Sequence, residues 1–147
     1  MDLLKVKVRN LIENREKLKH FFRKAIMYPP PDISIDSADD KLMRRVMKAL
    51  NEEISNPDFG VDELSKRVGL SRTHLYRKIL KITSQSPVEL IRNTRLQRAA
   101  QLLRENKLYV AEVVYMSGFK EISYFRKMFK DFYGLSPVEY SQSTKLV

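Results

Sequence analysis

Apolar residues recur along the chain at helical rather than strand spacing. Leu4, Val8, Leu11, Arg15, Leu18 and Phe22 fall at alternating steps of four and three, a heptad seam with one arginine in it. The spacing predicts an amphipathic linker helix over residues 1–28, packed on a neighbouring domain or dimerising through its seam. Pro29-Pro30-Pro31 cannot continue a helix and favours extended geometry, so residues 29–38 read as a linker. Beyond it, Asp39 and Asp40 supply acids at the start of a helix with Leu42, Val46, Leu50 and Ile54 on one face, ending near Asn56-Pro57. Gly60 can cap a helix from Val61 to Val68, which Gly69 ends. Another follows from about Arg72 to Ile82. Ser86-Pro87 opens a long helix to about Glu105, whose apolar side holds Leu90, Ile91, Leu96, Ala99, Leu102 and Leu103. Helices over Val110–Ser117 and Ser123–Tyr133 are stopped by Gly118 and Gly134, and Ser136-Pro137 starts a short one around Val138–Ser141. No stretch sustains period-two alternation, so the expected class is all-α.

The short helices come in two matched pairs. Val61, Glu63 and Gly69 recur 49 positions later as Val110, Glu112 and Gly118, whereas Ser86-Pro87-Val88-Glu89 recurs 50 later as Ser136-Pro137-Val138-Glu139. The apolar triplet Leu75, Ile79 and Ile82 matches Phe125, Phe129 and Phe132 at the longer offset. One extra residue therefore lies in the second turn, within Phe119 to Tyr124. Two copies are too few for a solenoid but suit a duplicated helix-turn-helix. A steep helix crossing wants a small residue and, four positions on, a glycine at the turn. Ser65 and Gly69 meet this; in Val114 and Gly118 the first member is larger than such a crossing favours. The expected architecture is thus two helix-turn-helix subdomains, about 61–82 and 110–133, joined by a long helix, about 86–105, and preceded by the N-terminal amphipathic helix. A connecting helix of roughly 20 residues is about 30 Å long. The major groove of B-DNA repeats about every 34 Å. One rigid helix could therefore set two recognition helices into successive groove segments.

Composition narrows the chemistry. The chain has 147 residues, 28 Lys plus Arg against 18 Asp plus Glu, and a net charge of +10, a balance that favours an acidic partner such as nucleic acid. It has no cysteine, two isolated histidines and four scattered glycines. That leaves no thiolate nucleophile, no recognisable metal set and no phosphate-cradling loop, so no cofactor, metal or catalysis is expected. His74 reads as a partly buried packing residue. No window is apolar enough to span a membrane, and the first residues lack the apolar region of a secretory signal.

The stretches Leu70-Ser71-Arg72-Thr73-His74-Leu75-Tyr76-Arg77-Lys78, Tyr115-Met116-Ser117-Gly118-Phe119, Ser123-Tyr124-Phe125, Phe129-Lys130 and Gly134-Leu135-Ser136-Pro137-Val138-Glu139-Tyr140 together resemble the DNA-binding domain of the AraC/XylS family of bacterial transcription regulators. The resemblance covers about residues 40–142 and assigns residues 39–147 to such a domain. It implies two helix-turn-helix units on a long helix, promoter binding, and recruitment or positioning of RNA polymerase. Residues 3–27, chiefly Val8-Arg9-Asn10-Leu11-Ile12-Glu13-Asn14-Arg15 with Phe22, resemble the helical tail leaving the receiver in Bacteroidetes hybrid two-component regulators. That implies receiver and sensor domains upstream, in a longer parent chain of cytoplasmic, nucleoid-associated location that a membrane anchor could hold. Gly60, Tyr109, Val114 and Ser141 depart from the family pattern, with Tyr109 and Val114 predicting looser packing in the second unit than in the first.

If the apolar triplets face the core, the first recognition helix presents Arg72, Thr73, Tyr76 and Arg77 to base edges, with Arg77 suited to bidentate contact with guanine. The second presents Ile122, Ser123, Arg126 and Lys127. Lys78, Lys81, Lys120 and Lys130, with Arg92 and Arg95 on the connecting helix, are placed for phosphates, which give affinity without sequence information. The partner expected is double-stranded DNA, with no small-molecule ligand. The competing reading keeps the fold but uses the basic surface as a protein–protein adaptor. DNA alkyl transfer would need a cysteine, and there is none.

Overall fold

The computed structural model describes residues 37–105 and 108–144. The expected linker helix over 1–28 and the proline segment lie outside these residues. Among the described residues the order is α1 (Ala38–Glu53), α2 (Val61–Val68), α3 (Arg72–Thr83), α4 (Pro87–Glu105), α5 (Val110–Met116), α6 (Ile122–Tyr133) and α7 (Pro137–Thr144), with no strand. No helix among them is long and apolar enough to cross a membrane.

Each boundary has a local cause. Ser37, at the end of the predicted linker, caps α1 by accepting from the Asp40 amide at 3.1 Å. Glu63 reaches back to the Gly60 amide at 2.9 Å and closes the start of α2. These two backbone bonds, to its own amide and to that of Gly60, hold the Glu63 carboxyl below its ordinary pKa. Gly69 ends α2 in the left-handed region at φ 74°. Ser71 caps α3 at the His74 amide, 3.1 Å away. At both Ser-Pro steps the serine hydroxyl accepts from the glutamate amide three residues on, Glu89 or Glu139, at 3.1 Å, and proline takes the first helical position.

Two cores form, and α4 is shared between them. Leu90 and Ile91 pack with Met43, Val46, Leu50, Leu64, Leu75 and Ile79. One and a half turns later, Leu96, Ala99, Ala100, Leu102 and Leu103 pack with Val113, Phe125, Phe129, Tyr133 and Tyr140. Because α4 buries different faces at its two ends, its apolar residues do not form one stripe. The duplication is also deeper than the helix pairs. Met43, Val46, Ala49 and Leu50 of α1 are buried, and fifty positions on so are Asn93, Leu96, Ala99 and Ala100 of α4. The second half of α4 is to unit two what α1 is to unit one.

Two packing expectations need correction. The third buried position of each recognition helix is Thr83 and Tyr133, each 1% exposed, rather than Ile82 and Phe132, which only flank the cores. A threonine can be buried there because its hydroxyl donates to the Ile79 carbonyl at 2.7 Å. His74 is exposed, not packed. Val114 is accommodated: it is 6% exposed, as Ser65 is in unit one. The second core compensates with aromatic rings, Phe125 to Phe129 at 5.5 Å, Phe129 to Tyr133 at 4.6 Å and Phe129 to Tyr140 at 5.4 Å between centroids.

Candidate nucleic-acid interface

The two recognition helices, α3 and α6, are buried alike. Leu75 and Ile79 point inward from one, Phe125 and Phe129 from the other, all fully buried. What turns outward from α3 is Arg72, Thr73, His74, Tyr76 and Arg77; from α6 it is Ile122, Ser123, Tyr124, Arg126 and Lys127. All eight expected base-reading positions are therefore exposed. His74 and Tyr124, at equivalent places, are exposed as well, and Tyr124 lines a cleft between the units.

Two neighbouring depressions run from α3 towards the start of α6. A hollow beside α3 is lined by Val61, Arg72, Thr73, Tyr76, Arg77 and Val88. A larger cleft between the units begins at the same Val61 and Val88, passes Ile91, Arg92 and Arg95, and ends at Lys120 and Tyr124 beside the start of α6. Arg92 thus stands in the cleft between the two helix entrances.

The expected phosphate-binding cations divide by environment. Lys81, Lys120 and Lys130 are exposed. Lys78 is only half-exposed and pairs with Asp39 of α1 at 3.0 Å, on the flank of α3 away from the hollow. Its counterpart fifty residues on is Met128, which packs on the second core, so this is a packing position in both units. Lys120 pairs with Asp58 at 3.1 Å, and Arg72 with Asp62 at 3.1 Å, both between exposed groups. Such exposed pairs contribute at most about 1 kcal/mol. Arg95 is committed elsewhere. Its Nη2 donates to the carbonyls of Asn56 and Phe59, each at 2.8 Å, and burial pushes its pKa down from the ordinary arginine value. Its expected role at a phosphate gives way to an internal one.

Capping differs between the units. The Tyr109 amide meets Glu112 at 3.5 Å, against 2.9 Å for Gly60 and Glu63. Glu121, before α6, makes no side-chain cap bond, where Ser71 does so for α3. The second recognition helix is thus held by a larger aromatic core and has the weaker N-terminal cap.

Two helix-turn-helix units on a shared helix define a bipartite helix-turn-helix domain. Residues 64–143 match the family model described as helix-turn-helix domain, and the chain belongs to that family, in its AraC/XylS form. It is 37% identical over 92% of its length to a histidine kinase of Formosa agariphila, of which it spans only 10%. The C-terminal domain of AraT, a response regulator from Geobacillus stearothermophilus, superposes with a TM-score of 0.67 at 25% identity, covering 73% of this chain and 88% of that one. The DNA-binding domain of AdpA, a global transcriptional factor solved with a target DNA, superposes at 0.65 with 28% identity, covering 71% and 93%.

Proposed function

We propose that this chain is the sequence-specific, double-stranded DNA-binding output domain of a larger transcription regulator, reading two successive major-groove segments. The observation that carries it is the link between the two helix entrances: the hollow holding Arg72, Thr73, Tyr76 and Arg77 shares Val61 and Val88 with the cleft that reaches Lys120 and Tyr124 at the start of α6. Arg72, Thr73, Tyr76 and Arg77 read the first segment, and Ile122, Ser123, Arg126 and Lys127 the second. Arg77 and Arg126 suit guanine, and Ile122 suits a thymine methyl. Lys81, Arg92 and Lys130 meet phosphates, while Lys120 keeps its pairing with Asp58.

The likeness to a response-regulator domain and to part of a histidine kinase supports a two-component parent, with residues 1–28 leading from an upstream receiver or sensor. RNA polymerase is the expected protein partner on the promoter. The setting is cytoplasmic, and the domain acts by binding, with no reaction of its own and no cofactor.

Selection of binding sites from random duplexes at moderate salt tests this. The expected result is an enriched motif with two blocks. A flat pool would refute specific readout and return the basic surface to the adaptor reading.

A further inference from the structure

The turn joining α1 to α2 in unit one is gripped by unit two at three points. Arg95 donates to the Asn56 and Phe59 carbonyls at 2.8 Å. Lys120 pairs with Asp58. Gly118, at φ 81°, lies so close to Ile54 that a Cβ placed on it would stand 2.2 Å from the Ile54 carbonyl oxygen and 2.9 Å from Arg95 Nε.

The duplication shows that these contacts are departures from the repeat. Arg45 is the counterpart of Arg95 fifty positions earlier. It stays within its own unit, donating to the Val68 carbonyl at the end of α2 at 2.7 Å, beside Gly69. Arg95 sits beside the equivalent Gly118 but reaches across to the other unit. The extra residue of the second turn is Lys120 itself. The Leu70 and Phe119 amides both donate back five residues, to Ser65 and Val114 at 3.1 Å, and Ser71 and Glu121 both precede recognition helices. Only Lys120, between Phe119 and Glu121, has no counterpart. The one inserted residue is the one that carries the ion pair between units.

We propose that Arg95, Gly118 and Lys120 form a clamp on the α1–α2 turn that fixes the pose of one recognition helix relative to the other, and so sets the spacing between the two DNA segments that can be bound together. Arg95 is the principal positioning residue. A shared helix fixes the separation of the units along its axis, but each unit's rotation about that axis and its tilt from it rest on that unit's own packing. Three contacts away from that axis resist both. The consequence for DNA rests on the two-segment reading proposed above; the clamp itself does not.

The test separates the two. The chain has no cysteine, so Lys66→Cys in α2 with Ala111→Cys in α5 gives two labelling sites on exposed positions of different units. Electron spin resonance distances between the labels should form one narrow distribution in the parent. Arg95→Leu should broaden or shift it, Asp58→Ala should do so less, and Arg95→Lys, which keeps a donor, should partly restore it. Asp58 is exposed, so its variant remains informative if Arg95→Leu does not fold. On duplexes carrying the selected motif with one base pair added or removed between blocks, the parent should lose about tenfold or more, the scale of one mismatched pair. Arg95→Leu should flatten that preference to within about threefold while leaving binding to single-block duplexes unchanged, because preorganisation is what it removes. Unchanged distances in Arg95→Leu and Asp58→Ala would overturn the clamp, and changed distances with an unchanged spacing preference would overturn its role in spacing. If no duplex is bound specifically, the two-segment reading fails, and the distances still decide the clamp.

Discussion

Tyr133 occupies in unit two the place Thr83 holds in unit one, and the two buried hydroxyls have opposite fates. Thr83 Oγ1 donates to the Ile79 carbonyl at 2.7 Å and accepts from the Gln85 amide at 3.1 Å. The Tyr133 hydroxyl has no hydrogen-bond partner among the described residues, and burial pushes its pKa far up. Removing an unpaired buried hydroxyl relieves a cost, whereas removing a paired one strands its partner. Tyr133→Phe should therefore leave stability equal or raise it by about 1 kcal/mol, and Thr83→Val should lower it by about 1–3 kcal/mol. Urea unfolding of both variants checks this; a large loss in Tyr133→Phe would contradict it.

The turn glycines separate conformational strain from crowding. Gly69 and Gly118 both have positive φ, at 74° and 81°. A Cβ on Gly69 meets nothing closer than Arg45 at 4.0 Å, while on Gly118 it meets the Ile54 carbonyl. Gly69→Ala should cost about 1–2 kcal/mol, the left-handed penalty alone. Gly118→Ala should cost clearly more. Equal losses in urea unfolding would show that the Ile54 contact relaxes freely.

The start of α2 should respond to acid. Because Glu63 is held below its ordinary value of 4.5, its stabilising effect is fully present above that value and is lost as pH falls through the folded-state pKa. Stability of the parent relative to Glu63→Gln should thus shrink as pH drops below about 4.5. Unfolding curves at several pH values read the difference; one that grows on acidification would reverse the sign.

Electrostatics should dominate affinity. With six to eight phosphates neutralised, log K against log salt should have a slope of about −5 to −7. Lys81→Ala should make it shallower by about 1 without changing the motif. A slope near zero would mean that the basic face is not the contact face.

Much of this was legible in residue spacing, and what was not has physical causes. The glycines, the Ser-Pro starts and the change of offset from 49 to 50 located both units and the insertion, because turn and cap chemistry is local. The last turn of each recognition helix was read one residue out of phase. Ile82 is the more apolar neighbour, but Thr83 satisfies its hydroxyl within its own helix and can be buried. The repeat between α1 and α4 was masked by substitutions such as Met43 to Asn93. Arg95 resembled any other arginine on a connecting helix; its partners lie 36 and 39 residues away, and no local pattern announces them.

The two arginines of the base-facing surfaces should be unequal. Arg77 lies on a helix capped by Ser71, whereas Arg126 lies on one without a side-chain cap, though on a larger aromatic core. Arg77→Ala should cost about 1–3 kcal/mol and relax discrimination at one or two base pairs. Arg126→Ala should cost less, under about 1 kcal/mol, because part of its ordering is completed on binding. Titrations on selected and scrambled duplexes measure both. An equal loss on the two duplexes for Arg77→Ala would make it a phosphate contact.

Chemical interference footprinting of the chain on its selected duplex tests the two-segment reading most directly. Methylation of guanine N7 should block binding in two patches on one face of the duplex, their centres about 10–10.5 base pairs apart, one helical turn. A single patch, or interference spread evenly along the site, would contradict the account.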